Sequence, residues 1–125
     1  MKARIVSEKG PAAIGPYSPA VKSGNLLFVS GQLPIDAARS VMPETIEEQT
    51  RQSLTNLRYQ LEVAGLTMDA VVKTTVFLKD MNDFAAMNEV YASFFSGVYP
   101  ARSAVQVARL PKDALVEIEA IATLA

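Results

Sequence analysis

The sequence predicts an α+β fold: one mixed β-sheet with two helices packed on one of its faces. Three observations predict it. Strand-like runs bounded by Gly, Pro and Asn occur near the start, in the middle and at the end of the chain. Two stretches between them place apolar residues at helical spacing. The 125 residues, half of them hydrophobic, suit a single domain spanning 1–125, with no repeat, linker or low-complexity tract to divide it.

Taken in order, Ser23–Asn25 (SGN) is a turn between a run ending at Val21 and the run Leu26–Ser30 (LLFVS), which reads as buried on both faces. Gly31 and Pro34 end that run, and Ala37 to Met42 form a loop. Thr45 and Glu48 make a T-x-x-E capping box. Ile46, Thr50, Leu54, Leu57, Leu61 and Ala64 then follow helical spacing up to Gly65, which stands where a C-terminal cap belongs. Glu47, Glu48, Arg51, Arg58 and Glu62 take the exposed side of this helix. Ala70–Leu78 (AVVKTTVFL), rich in β-branched residues, reads as an interior strand. A second helix follows over about 83–95, with Phe84, Met87, Tyr91, Phe94 and Phe95 on its apolar side.

The last two strands lie in PARSAVQVARLPKDALVEIEAIA (100–122). In the second of them Val116, Ile118, Ala120 and Ala122 share a small apolar face suited to packing under helices, and Leu115, Glu117, Glu119 and Ile121 share the other. In the first, Arg102, Ala104, Gln106 and Ala108 share a face. The element order is two or three strands, a helix, a strand, a helix and two strands, an α+β sandwich.

Composition excludes several kinds of chemistry. Twelve Lys and Arg against 13 Asp and Glu give a net charge of −1 and a pI near 5.4, so no basic surface for tracking phosphates is indicated and nucleic acid is not an expected partner. The chain has no Cys and no His. Disulfides, His–Cys zinc sites, Ser-His-Asp triads and histidine-dependent ribonuclease mechanisms are therefore out of reach. Acid–base work falls to Asp, Glu, Lys, Tyr or water. The N-terminus MKARIVSEKG lacks the apolar core of a signal peptide, and no apolar run approaches membrane-spanning length. A cytoplasmic location is the expectation.

Two helices cover only one side of such a sheet. The other side still carries Leu115, Ile121 and several alanines beside its charges, which points to an oligomer interface where those charges need partners. If the last two strands pair as a hairpin about LPKD, Glu117 faces Gln106 and Arg102 faces Ile121. Arg102 and Glu117 are then roughly 13 Å apart along the strands. They would meet only between chains, so a site shared by subunits is predicted. Arg102 is a planar fork suited to holding a carboxylate, and Glu117 is a base or water-orienting group whose pKa desolvation would raise. That pair fits hydrolysis of a small acid, and it equally fits a structural Arg–Glu ion pair.

Other positions carry two readings each. Tyr17, held extended between Pro16 and Pro19, is an edge aromatic or a phenol presented to a pocket. Gly31, in SGQ (30–32), is a common strand-end glycine or a point of close ligand approach. Asn88, one turn after Phe84, is a core amide or one aimed into a pocket. Lys73, Lys79 and Lys112 read as solvated charges.

The stretches AIGPYSPAV (13–21), LFVSGQLP (27–34), VVKTTVFLKDMNDFAAMNEVYASFF (71–95) and YPARSAVQVARLPKDALVEIEAIA (99–122) together resemble the YjgF/Rid family of reactive-intermediate deaminases, earlier labelled L-PSP endoribonucleases. The resemblance covers the whole chain. It implies a chorismate-mutase-like fold, a homotrimer and active sites between subunits. It implies hydrolysis of 2-aminoacrylate and related 2-imino acids to 2-keto acids and ammonia without metal or organic cofactor, downstream of pyridoxal-phosphate dehydratases acting on serine or threonine. On this resemblance Arg102 binds the substrate carboxylate, Glu117 activates water and Tyr17 is the pocket phenol. Ser30, Gly31, Asn88 and the backbone at Ala104 contact the substrate. Many members carry Cys where this chain has Ala104, so any thiol contribution is absent here. The alternatives are a small-carboxylate-binding trimer without turnover and, on the older label, an endoribonuclease or translation inhibitor.

Overall fold

Strand β1 (Lys2–Ile5) pairs antiparallel with β2 (Ala20–Ser23), and β2 with β3 (Leu26–Gln32). Ser23 lies opposite Leu26, so only Gly24 and Asn25 make the turn between β2 and β3. Such a two-residue turn needs a left-handed residue in first place, and Gly24 supplies it with φ 60°. Helix α1 (Ile46–Val63) starts as its capping box predicts: the Glu48 N–H donates to Thr45 Oγ1 at 3.2 Å. It ends with the Leu66 N–H on the Leu61 carbonyl (2.9 Å) and the Gly65 N–H on that of Glu62 (3.0 Å), with Gly65 left-handed at φ 75°. Then follow β4 (Val71–Leu78), α2 (Phe84–Ala92), β5 (Ala101–Gln106) and β6 (Val116–Thr123). These elements come from a computed structural model that describes residues 1–124.

The six strands form one sheet in the order β1-β2-β3-β6-β4-β5. Every neighbouring pair is antiparallel except β4 and β5. Since β3 and β4 both run against β6, the strands β3, β4 and β5 all point the same way. The chain visits them in one direction across the sheet, through α1 and then α2. Right-handed crossovers in one direction put both helices on the same face. That is observed: α1 packs on β6 and β3, while Tyr91 of α2 bonds to Thr74 on the same face of β4.

The core lies between this face and the helices. Leu54, Leu57 and Leu61 of α1 and Met87 and Tyr91 of α2 are buried against Leu27, Val76, Leu78, Val116, Ile118 and Ala122. The small apolar face predicted for the last strand is the one beneath the helices. Three expectations need correction. The run at Leu26–Ser30 is not buried on both faces of the chain: Leu27 and Val29 are buried, but Phe28 is 42% exposed. The second helix ends at Ala92, so Phe94 and Phe95 lie beyond its last turn.

The third correction concerns β5 and β6, which do not form a hairpin. β4 lies between them, parallel to β5 and antiparallel to β6. Glu117 therefore faces Phe77, not Gln106, and Arg102 faces Thr74, not Ile121. The connection is long enough to step over one strand and is anchored by buried Leu110 and Ala114. Burial explains the choice. Alternate residues of β6 are all buried, which suits the sheet centre, while Ala101, Ser103, Val105 and Gln106 of β5 are exposed, which suits an edge.

Thr45→Ala removes the α1 cap and should lower stability by about 1 kcal/mol. Leu57→Ala opens the core and should cost about 2–5 kcal/mol. Urea unfolding at one protein concentration checks both, and equal losses would contradict this division between cap and core.

Candidate active site

The cleft begins at an irregularity in the sheet. The β3–β6 ladder runs from Leu26 opposite Thr123 to Val29 opposite Ala120, then resumes at Gln32 opposite Ile118. Ser30 and Gly31 thus oppose the single residue Glu119, a β-bulge that re-aims the chain. Ser30 is committed to structure. Its N–H donates to the Pro19 carbonyl (2.9 Å), its hydroxyl donates to that of Ser18 (2.7 Å), and its own carbonyl accepts from Gln32 Nε2 (2.9 Å). Those bonds fasten the loop that carries Tyr17. Tyr17 is not simply extended between its prolines: Gly15 turns the chain at φ 123°, and the Tyr17 N–H closes back on the Gly15 carbonyl at 3.0 Å. Tyr17 is 47% exposed.

Gly31 is required for space. A Cβ there would collide with Glu117 Oε2 and stand 2.9 Å from the carboxyl carbon. The Glu117 carboxylate therefore lies directly over the Gly31 backbone. It is half-buried and takes part in no hydrogen bond or ion pair among the described residues. Burial, and secondarily the charge of Glu119, hold its carboxyl above the ordinary glutamate range. Around it opens a cleft of about 480 Å³. Tyr17, Ser30, Gly31, Gln32 and Glu117 supply its polar lining, and Pro11 to Ile14, Leu33, Ile35 and Pro111 its apolar walls.

A second group assembles elsewhere. Arg102 donates from Nη1 to Asn88 Oδ1 at 2.7 Å. Its guanidinium carbon lies 4.9 Å from the Tyr91 ring centroid and 5.4 Å from that of Phe84. The Tyr91 hydroxyl in turn bonds Thr74 Oγ1 at 2.7 Å. Burial raises the Tyr91 pKa, against the opposing effects of Thr74 and Arg102, so the phenol is neutral at pH 7. Ala104 follows on the same face, half-buried against the core. Asn88 is thus neither an inert core amide nor a free pocket group, since its oxygen orients Arg102.

The structure brings Tyr17, Ser30, Gly31 and Glu117 together, and separately Arg102, Asn88 and Ala104. It does not bring the two sets together in one chain. Arg102 pairs with Thr74 on the helix face, whereas Glu117 pairs with Phe77 on the open face. The expectation that both lie on the mixed face is therefore wrong. The open face itself is partly apolar, with Phe28 42% and Val105 44% exposed.

Sequence reasoning missed three contributors. Lys112, read as a solvated charge, lines the cleft edge with φ 57°, and Asp113 beside it has φ 54°. Two successive left-handed residues without glycine are strained, and LPKD announces only a turn. Phe84 and Tyr91, read as helix core, flank the guanidinium. No cluster of three or more His, Cys, Asp or Glu able to hold a metal occurs among the described residues, and none of their helices is long and apolar enough to cross a membrane.

Comparison with known proteins places this geometry. Residues 7–124 match the family model described as Endoribonuclease L-PSP. A RutC family protein of Pyrococcus horikoshii is 56% identical over 123 residues, covering 98% of either chain. The 2-iminobutanoate/2-iminopropanoate deaminase of Escherichia coli K12 is 50% identical over 125 residues, again with 98% of either chain covered. The crystal structure of Escherichia coli TdcF with bound serine superposes with a TM-score of 0.95 at 45% identity, covering 98% of this chain and 99% of that one. Likeness of this extent, in sequence and in backbone, means that the chain belongs to the YjgF/Rid family, described also as L-PSP and RutC.

Proposed function

We propose that this protein hydrolyses 2-imino acids and their enamine tautomers, such as 2-aminoacrylate, to 2-keto acids and ammonia. The observation that carries the proposal is the Glu117 carboxylate, without a hydrogen bond or ion pair among the described residues and with a raised pKa, set over Gly31 in an apolar cleft. A carboxylate so placed, with its pKa raised by burial, suits a general base. The deaminase of Escherichia coli, half identical over nearly the whole chain, supports the same assignment. Such imines are released by pyridoxal-phosphate dehydratases acting on serine or threonine, which are the expected upstream partners.

Each site is built from two copies of the chain, in a homotrimer closed around the open faces. Arg102 of one copy holds the substrate carboxylate with the guanidinium edge that Asn88 leaves free. Glu117 of the next takes a proton from water as the oxygen bonds to the imine carbon, and passes it to the nitrogen. The hydroxyl proton of the intermediate then passes to the nitrogen through the same carboxylate, the C–N bond breaks, ammonia leaves, and the carbonyl of the keto acid forms. Tyr17 and the Gly31 backbone orient the tetrahedral intermediate. Ser30 serves by fastening the Tyr17 loop, and the backbone at Ala104 continues the Arg102 side of the site. The reaction balances with water alone and calls for no cofactor. A second reading, carboxylate binding without turnover, is favoured by one observation, the serine bound to TdcF.

Imines generated in situ by an amino-acid oxidase, with semicarbazide trapping whatever escapes hydrolysis, decide between these readings. Wild type should suppress semicarbazone formation. Glu117→Gln should lower kcat about 10²–10⁴-fold, and Arg102→Ala should raise KM about tenfold or more. Trapping unaffected by wild type with several imino acids would leave the binding reading. Because the site is shared, mixing and reassembling the two impaired variants at equal amounts should make about a quarter of the sites wild-type, with low KM and full kcat. No recovery would contradict a site between chains.

The pH dependence has a definite sign. A base must be ionised, so activity should fall as pH drops through a Glu117 pKa that lies above the ordinary glutamate range. Glu119→Gln removes the second cause of the shift and should move this acid limb to lower pH. For stability, the folded pKa lies above the unfolded one. The carboxylate is therefore destabilising above the folded pKa, and that penalty vanishes below the unfolded pKa. Glu117→Gln should gain thermal stability over wild type at neutral pH and lose the advantage in acid. A gain equal at all pH values would contradict the assignment. Gly31→Ala should retain the fold but displace the carboxylate, reducing kcat with little effect on KM.

A further inference from the structure

We infer that Asn56, buried in the middle of α1 and absent from the cleft lining, is a positioning residue that sets which substrate side chains the cleft accepts. The inference rests on the deaminase proposal for its kinetic test but not for its binding test. Asn56 is 0% exposed, yet all its hydrogen-bonding groups are engaged. Its Nδ2 donates to the carbonyl of Leu33 and to that of Ile35, each at 2.9 Å. Its Oδ1 accepts from Gln52 Nε2, also at 2.9 Å. One amide thus captures two carbonyls two residues apart in the segment that leaves β3.

Within Leu33–Ile35 the chain itself supplies little: Pro34 offers no N–H, and the Ile35 N–H closes on the Leu33 carbonyl at 2.9 Å, the next backbone bonds beyond being those that join Asp36 and Val41. Leu33 and Ile35 nevertheless both line the apolar wall of the cleft. The wall's position therefore depends on a side chain from another element. The chemistry of the clamp is narrow. Two donors on a short stem are needed: serine offers one, aspartate would set a carboxylate against two carbonyl oxygens, and glutamine is a methylene too long.

The clamp is also separate from the reacting groups. Glu117, Gly31 and Tyr17 are held by the bulge, the sheet and the Ser30 bonds, none of which involves Asn56. Arg102 is held by α2. Loosening Asn56 should therefore change how the cleft fits a substrate side chain while the carboxylate clamp and the base keep their geometry. An apolar wall distinguishes ligands by methylenes, and that discrimination depends on how rigidly the wall is held.

The test compares Asn56→Asp, Gln52→Ala and the control Ser53→Ala, another buried change on α1, with wild type. Gln52→Ala is the milder variant, because it removes only the group that orients the Asn56 amide, and it carries the test if Asn56→Asp does not fold. Two ratios are measured: kcat/KM for the leucine-derived against the alanine-derived imine, and Kd for 4-methyl-2-oxopentanoate against pyruvate by titration calorimetry. Both ratios should shift by about threefold or more in the clamp variants. The alanine imine kcat, and its pH profile, should stay within about twofold of wild type per folded site. Ser53→Ala should leave both ratios unchanged. A purely structural Asn56 would lower all constants in proportion to folded protein and leave the ratios alone, which would overturn the inference. A shift in the Ser53→Ala control would overturn it as well. If wild type leaves every imine to the trap, the deaminase proposal falls, and the keto-acid Kd ratio alone decides on Asn56.

Discussion

The last strand of the chain lies inside the sheet, between β3 and β4, and the rest of the molecule is arranged about that insertion. β6 gives its Val116, Ile118, Ala120 and Ala122 face to the helices and so completes the core. Its other face carries Glu117 to the bulge of β3, where only a glycine backbone leaves room for the carboxylate. β4 and β5 both lie on the same side of β3, so the two crossovers run in one direction, both helices fall on one side and the opposite face stays open. The completed core and the placement of the Glu117 carboxylate thus follow from one strand's position.

Around that frame, buried amides of α1 carry out the polar work. Gln49 accepts from the Leu115 N–H and donates to the Pro43 carbonyl, each at 2.8 Å. Gln60 accepts from the Ser7 N–H at 3.1 Å, and Asn56 clamps the β3 exit. Loops with few internal hydrogen bonds would otherwise bring unsatisfied backbone groups against the helix. Each amide removes that cost and fixes a different part of the cleft surroundings: the N-terminal segment, the wall, and the entry to β6 beside the strained Lys112.

The two charged groups of the site are held in opposite ways. Arg102 is fully furnished, with an amide oxygen and two aromatic faces, and so presents a rigid, permanently charged edge. Glu117 has no such partners among the described residues, and its charge is discouraged by burial and by Glu119. A fixed cation suits recognition, whereas a carboxylate whose pKa burial raises suits proton transfer. The two groups stand on opposite faces of the sheet within one chain.

Local signals in the sequence determined much of this. The T-x-x-E cap, the helical spacing to Gly65, the SGN turn and the alternation of the last strand each depend on residues within one turn or one strand of each other, and each is found as predicted. The candidate site residues could be named from the sequence because motifs such as PAR, SGQ and VEIE stay contiguous, and the structure gathers Tyr17, Ser30, Gly31 and Glu117 around one cleft. What tertiary structure alone decided was adjacency. Strands neighbouring in sequence most often pair, and nothing in PARSAVQVARLPKDALVEIEAIA indicates that β4 enters between them. With that insertion Arg102 went to the helix face, Phe84 and Tyr91 became its cage, and Lys112 came to the cleft edge. Local pattern sets which residues share a face of an element. Which face meets which neighbour is set by the burial of the whole sheet, and no single segment contains that information.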